Sequence, residues 1–469
     1  MMKNYWYPIL LGLVIISCQD KESIPQYDLV IYNANIVDVK SGEIEKGQSI
    51  YISGDTIVRV GKEEEENKFI AGEVFDANGG YVIPGLWDMH VHFRGGDSLI
   101  EENKNFLPLF LAYGITTVRD AGGDITPAVL KWREEINEGR LAGPDIFTPG
   151  PKLDGPEPAW PGSISVTNPG DISSALDSLI SIGVDYVKIY DGSLSKEAFY
   201  NIIETADEQG LKTTGHMPLS ADFLVAIEKG LDGAEHMYYP LKACSPKADS
   251  LTQLGLGYGM MSELIKTYDP ELANEVFEKM SKEEVSITPT LHIMKVLSGL
   301  ADADHSKDSL LAYMGNGIQE TYQGRIDGAI RAKASGNTMR DEMQRISATM
   351  IKPMYDAGVN ILAGSDSGAF NSFIYPGESL HGELKSLVDA GLTPTQALET
   401  SVINGPKFFG LQKKYGSVKP GKFADILILK QNPLENIDNL SQIQAVIKSG
   451  KIFSKTDIAK MLEEVKQDK

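Results

Sequence analysis

The sequence predicts an α/β fold: a closed (β/α)8 TIM barrel carrying a small β-sandwich domain assembled from both ends of the chain. Three observations predict it. Short β-branched runs alternate with amphipathic helical segments over about 300 residues, the pattern of parallel strands joined by crossover helices. Strand-and-turn segments without helices flank this region on both sides. Polar residues interrupt at least five of the apolar strands near their far ends. Such clustering favours a closed barrel, whose reactive groups gather at the C-terminal rim, over an open doubly wound sheet.

The chain has 469 residues, is 42% hydrophobic and contains no low-complexity tract, so it can fill one large domain and a smaller one. Its formal charge of −21 excludes a nucleic-acid partner, because phosphates require a basic surface. The acidity reads as a soluble, self-repelling surface, with GKEEEEN (61–67) as a solvated loop.

The first segment, MMKNYWYPILLGLVIISC, places Lys3 before an apolar run that ends at Ile16. The run is shorter than the roughly 20 residues that cross a bilayer, and residues 1–17 read as a secretory signal. Ile15-Ile16-Ser17-Cys18 resembles a bacterial lipobox, with Cys18 as the lipidated first residue of the mature chain. The expected product is exported and membrane-anchored by lipid alone, in the periplasm or on the cell surface. Cys244 is then the remaining thiol, and no intramolecular disulfide is possible.

Next come YDLVIYNANIVDV, SIYISGDTIVRVG and EVFDANGGYVIPG, answered at the other end by ADILILK and IQAVIKSGKIFSK. Residues 27–84 and 411–455 are therefore expected to form the composite β-sandwich, with the barrel spanning 85–410. Within the barrel, a glycine placed to end a helix precedes each strand run: Gly114 before ITTVRD, Gly183 before VDYVKIY, Gly210 before LKTTGH, Gly230 before LDGAEHM and Gly358 before VNILAGSD. Thr126 and Ser195 read as helix caps, the former with Pro127 behind it. The stretch 241–357 is too long for one crossover. It is expected to hold SITPTLHIMK as the seventh strand and an inserted helical cover over the barrel mouth.

The chemistry begins in GLWDMHVHFRGG (85–96). Strict alternation puts Asp88, His90 and His92 on one face of a strand and Trp87, Met89 and Val91 on the other. Lys188 interrupts DYVKIYDG, His216 closes LKTTGHMP, His236 closes DGAEHMYYP and Asp366 ends VNILAGSD. Taken singly, each has an ordinary explanation: a core histidine bonded to a carbonyl, a snorkelling lysine, an aspartate that starts a turn. Taken together they do not. Four of the seven histidines fall at strand ends that a barrel brings to one rim. Burying so many polar groups is costly unless something satisfies them, and imidazole with carboxylate is what Zn²⁺ and related ions bind.

These residues in this order, with VIPGLWDMHVH (82–92) and YGSVKPGKFADILIL (415–429), resemble the amidohydrolase superfamily from about Tyr27 to Phe453. RDAGG (119–123) and AGSDSG (363–368) resemble its prolidase-like and imidazolonepropionase-like branch. The resemblance implies two divalent metal ions, with zinc the expected element. His90 and His92 would hold the more buried ion and His216 and His236 the other. A carboxylated Lys188 would bridge them, and Asp366 would complete the first site and carry protons. It implies hydrolysis of a C–N amide bond by a metal-activated hydroxide, with Asp88 in a supporting place. Tyr238, Arg119 and His292, with Arg94 and Tyr239, are candidate substrate contacts, since arginine suits a substrate carboxylate. A dipeptidase of prolidase type is the first expectation. A cyclic-amide hydrolase is the second, though the strand-four lysine speaks against it. A reading of another class, an inactive barrel kept as a surface binding lipoprotein, conflicts with a complete set of six site positions. The expected partner is a dipeptide or small molecule; self-association is left open. Because Cys18 is expected to be lipidated, Cys18→Ala should move the protein out of the membrane fraction or leave it unprocessed. Membrane fractionation checks this, and unchanged association with the apolar segment retained would instead identify a signal anchor.

Overall fold

Eight strands from the two ends of the chain pair into one sheet in the computed structural model, which describes residues 1, 24–62 and 69–466. The expected signal segment and Cys18 lie outside the described residues. Gln26–Val37 runs antiparallel to Ile44–Ser53 and parallel to Ile70–Asp76 and Tyr81–Pro84. Ile426–Leu429 then joins Tyr81–Pro84 from the far end of the chain, followed by Ile443–Lys448 and Lys451–Ser454. The two flanks thus make one β domain, connected as a single continuous sheet. Leu29, Ile31, Ile50, Val82, Ile426, Ile428 and Ile447 fill its own core. The alternate residues Leu427, Leu429 and Val446 face the barrel instead and join the main core. Burial on both faces explains why this strand reads ILIL with no polar alternation.

The barrel strands are Leu86–His92, Ile115–Asp120, a split third position of Asp145–Phe147 and Leu153–Asp154, then Val187–Ile189, Thr213–Gly215, Gly233–Glu235, Ser286–Thr288 and Asn360–Ile361. Every lateral pairing among them is parallel. The ring closes where Met89 N–H donates to Ala363 and Asp366 N–H donates to the His90 carbonyl, with Ser367–Gly368 pairing Val91–His92. All seven residues of the first strand are buried. Trp87 and Met89 pack outward with Leu362 and Phe408, which sends Asp88, His90 and His92 to the interior.

Ser195 caps Lys196–Glu208 by accepting from Ala198 N–H, as the sequence predicts. Thr126 differs: it is the first residue of Thr126–Asn137, and its hydroxyl turns back to donate to the Gly123 carbonyl instead of capping. The seventh strand is also shorter than expected. It stops at Thr288 because Pro289 offers no ladder N–H, and Thr290 then takes a left-handed conformation (φ 52°). The rest of the run, Leu291–Gly299, is helix. Helices before and after this strand, among them Gln323–Ala334 and Met339–Asp356, make up the inserted region. Among the described residues no helix is long and apolar enough to cross a membrane.

Gly215 closes the fifth strand with φ 152°, and a Cβ there would lie 2.1 Å from the Ile189 carbonyl oxygen. Only glycine lets the fourth and fifth strands, which carry Lys188 and lead to His216, approach this closely. Gly215→Ala is expected to cost about 1–3 kcal/mol through overpacking. The cost should appear as a lower urea midpoint with unchanged slope.

Candidate metal centre

The four histidines predicted from strand ends form a continuous group of rings. His90 and His92 lie 5.0 Å apart by ring centroid, His236 is 5.2 Å from His90, and His216 is 4.9 Å from His236. Asp366 Oδ1 is 2.7 Å from His92 Nε2 and 3.5 Å from His90 Nε2. Ligand atoms of His90, His92 and Asp366 fall within 4.8 Å of one another. Two of the bare nitrogens, His90 Nε2 and His92 Nδ1, are buried with no hydrogen-bond partner. Buried polar atoms are rarely left unpaired, and here imidazole nitrogens converge on a carboxylate. The donor set fits a divalent cation.

The backbone is bent to achieve this. His236 and Asp366 both adopt left-handed conformations (φ 64° and 59°), uncommon for residues with a side chain. His236 N–H donates to the Thr288 carbonyl, and its Nδ1 lies 2.7 Å from the Thr290 hydroxyl. Asn371 holds Asp366 by donating to its Oδ1 at 2.8 Å and to its backbone carbonyl. Asp191 Oδ1 stands 3.5 Å from His216 Nδ1, and Tyr190 stacks on the same ring.

Beneath the cradle lies Glu235, fully buried. Its Oε2 is 2.6 Å from His90 Nδ1, while its Oε1 accepts from Arg119 Nη2 and from the Thr214 hydroxyl, both at 2.7 Å. A carboxylate on Nδ1 fixes the proton there and aims the Nε2 lone pair into the cradle. Burial opposes ionisation of Glu235, yet Arg119, Lys188 and His90 together hold its carboxyl well below the usual range. Lys188 is 1% exposed, its Nζ 3.8 Å from Glu235 and without a hydrogen-bond partner. Burial pushes its amine down to about 8. Burial also lowers His90, His92 and His236, keeping their rings neutral and able to bind a cation. Asp88 takes the supporting place expected of it, accepting from Ser365 N–H and hydroxyl and from His90 N–H.

The four histidines and Asp366 therefore lie together, with Lys188 beside Glu235 beneath them, and Tyr238 lines the cavity of about 420 Å³ above, with Tyr258, Met294 and Arg325. Four predicted substrate contacts, Arg119, His292, Arg94 and Tyr239, do not line it. Arg119 is wholly buried inside the barrel, donating to Met89 O, Glu235 and Thr288, so its charge is neutralised there. His292 lies on the helix after strand seven, and its ring packs against Gly382. Sequence reasoning missed Glu235 because simple alternation sends it and His236 to opposite faces. The left-handed turn at His236 brings both to the interior. A lone charge within Gly233–Glu235, otherwise glycine and alanine, was the available signal.

A family model described as the amidohydrolase family matches residues 81–453. The chain belongs to that family. Ochratoxinase from Aspergillus niger is 23% identical, covering 95% of this chain and 91% of that protein. Among solved structures, a bottromycin amidohydrolase superposes with TM-score 0.72 at 18% identity, covering 94% of this chain and 91% of that one. A Xaa-Pro dipeptidase does so with TM-score 0.67 at 20% identity, covering 91% and 99%. This amidohydrolase is accordingly a metal-dependent hydrolase acting on carbon–nitrogen bonds of small-molecule substrates. Glu235→Gln keeps the shape but removes the charge on His90 Nδ1. It should weaken metal binding about 10–100-fold, the usual scale for such outer partners, as measured by chelator competition.

Proposed function

We propose that this amidohydrolase is an exported, lipid-anchored enzyme with a two-metal centre that cleaves dipeptides. Lys188 carries the two-metal reading: a buried amine with no hydrogen-bond partner, on the strand beside the one leading to His216. An ammonium in this place would repel any cation held by the histidines. A neutral amine can instead attack carbon dioxide, forming an N–C bond and releasing one proton to water. The resulting carbamate carries negative charge and two oxygens. His90, His92 and Asp366 would hold one ion and His216 and His236 the other, with the Lys188 carbamate between them.

Bound zinc or a related pair of ions would polarise the scissile carbonyl and acidify the attacking water. Asp366, with Oδ1 held by Asn371, would take the proton from that water and deliver it to the departing nitrogen. Tyr238, on the cavity wall, is placed to meet the substrate. The peptide reading is supported by the resemblance of RDAGG and AGSDSG to prolidase-like enzymes and by the likeness in fold to a Xaa-Pro dipeptidase. A cyclic amide is the second reading, and Lys188 counts against it where one ion suffices. The complete cradle counts against an inactive binding barrel.

Metal analysis of Lys188→Ala tests the centre: bound metal should fall from two ions to one or fewer. Asp366→Asn should retain metal while kcat falls about 10²-fold or more, the scale of general acid–base catalysis. A dipeptide library read with ninhydrin tests the substrate. Stoichiometric metal without peptide turnover would move the assignment to cyclic amides. Full metal and full turnover in Lys188→Ala would overturn the two-metal centre bridged by a Lys188 carbamate.

A further inference from the structure

Thr290 stands in a left-handed conformation (φ 52°), one residue after Pro289 and directly before the helix Leu291–Gly299. A β-branched side chain there is strained, and such strain persists only where the surroundings over-determine it. Threonine at the start of a helix ordinarily turns its hydroxyl onto the second or third N–H of that helix. Thr290 makes no such cap. Its hydroxyl lies instead 2.7 Å from His236 Nδ1, and the residue lines the cavity above the histidines.

The vacated cap is filled from another element. Glu383 lies on the helix Glu378–Asp389 and is fully buried. It accepts from His292 N–H at 2.7 Å and from Leu291 N–H, the first two donors of Leu291–Gly299. Gly382 permits this approach, since a Cβ there would lie 2.5 Å from the His292 ring. The other oxygen, Oε1, is buried without a hydrogen-bond partner. Burial, followed by the nearby acids Asp88 and Asp366, pushes the carboxyl up to about 8. Glu383 therefore keeps its proton at neutral pH, and glutamine resembles it in shape and in donor–acceptor pattern.

We infer that Glu383 is a positioning residue for the metal centre: by capping Leu291–Gly299 in place of Thr290, it frees the Thr290 hydroxyl to hold His236. With Nδ1 engaged by that hydroxyl, Nε2 is left to bind a cation. Were Glu383 lost, the exposed helix donors would compete for the Thr290 hydroxyl, and the His236 ring would lose its orienting partner. His90 has its own support in Glu235, so the loss should fall on the ion held by His236. Assigning that ion as a second one rests on the two-metal reading; the linkage from Glu383 through Thr290 to His236 does not.

The test is release of zinc from the zinc-loaded full chain to a chromophoric chelator, with melting temperatures recorded alongside. Thr290→Val should weaken the first-released ion about tenfold or more, the usual scale for a partner behind a ligating histidine. Thr290→Ser, which keeps the hydroxyl, should stay within about threefold of wild type. Glu383→Leu should weaken the same ion as much as Thr290→Val does, while Glu383→Gln should restore it to within about threefold. Where Glu383→Leu does not fold, Glu383→Asp replaces it, because the shorter side chain withdraws from the helix donors. The double variant with Thr290→Val should lose no more than either single one, since both act through one hydroxyl. A purely structural Glu383 would lower the melting temperature and leave zinc release unchanged. That result, or losses that multiply in the double variant, would overturn the proposal. One zinc per chain in the wild type would remove the two-metal reading, and the linkage is then judged on that single ion.

Discussion

One buried carboxylate organises the barrel interior. Glu235 has no solvent contact and answers four groups from four strands: His90, Arg119, Lys188 and Thr214. An isolated charge in such a place would be untenable, and a buried pair is retained only when its remaining lone pairs are also met. Here the pairing is nearly complete. Arg119 neutralises the charge, Thr214 and His90 supply donors, and the residual negative potential falls on the amine of Lys188. The acid therefore fixes the tautomer of one ligand and the surroundings of the bridging candidate at once. Removing it would leave Arg119 as an uncompensated cation beneath a site meant for cations.

The reactive rim depends on that floor and on two backbone kinks. Left-handed conformations at His236 and Asp366 turn side chains inward that a regular strand would send elsewhere. Hydrogen bonds to the Thr288 and His90 carbonyls, and with the Thr290 hydroxyl and the Asn371 amide, hold those kinks. Asn371 in turn accepts from Arg325 on the inserted helix Gln323–Ala334, and Arg325 also donates to Phe370. The inserted region thus reaches Asp366 through two side chains.

Much of this was legible in the sequence for a simple reason. Periodicity of two in LWDMHVH separates apolar from ligating residues, and strand ends carrying polar groups announce the rim of a barrel. The flanking strands were legible from composition, and their pairing followed from having no other partner. What escaped detection was set by departures from regular geometry or by long-range packing. Glu235 was hidden by the turn at His236. Arg119 looked like a substrate contact because the sequence carries no sign of the acid that consumes its charge. His292 was placed on a strand that Pro289 and Thr290 cut short.

The junction of the two chain ends bears on how the molecule forms. Pro84 pairs with Ile426, and Leu427 packs against Gly114 at the start of the second barrel strand. The edge of Tyr81–Pro84 therefore stays without its neighbour until nearly the whole chain exists. Contacts of such long sequence separation form late, because loop closure must be met before pairing rewards it. An exposed edge during that interval is a template for pairing with another chain. The C-terminal strands thus act as a latch that covers this edge.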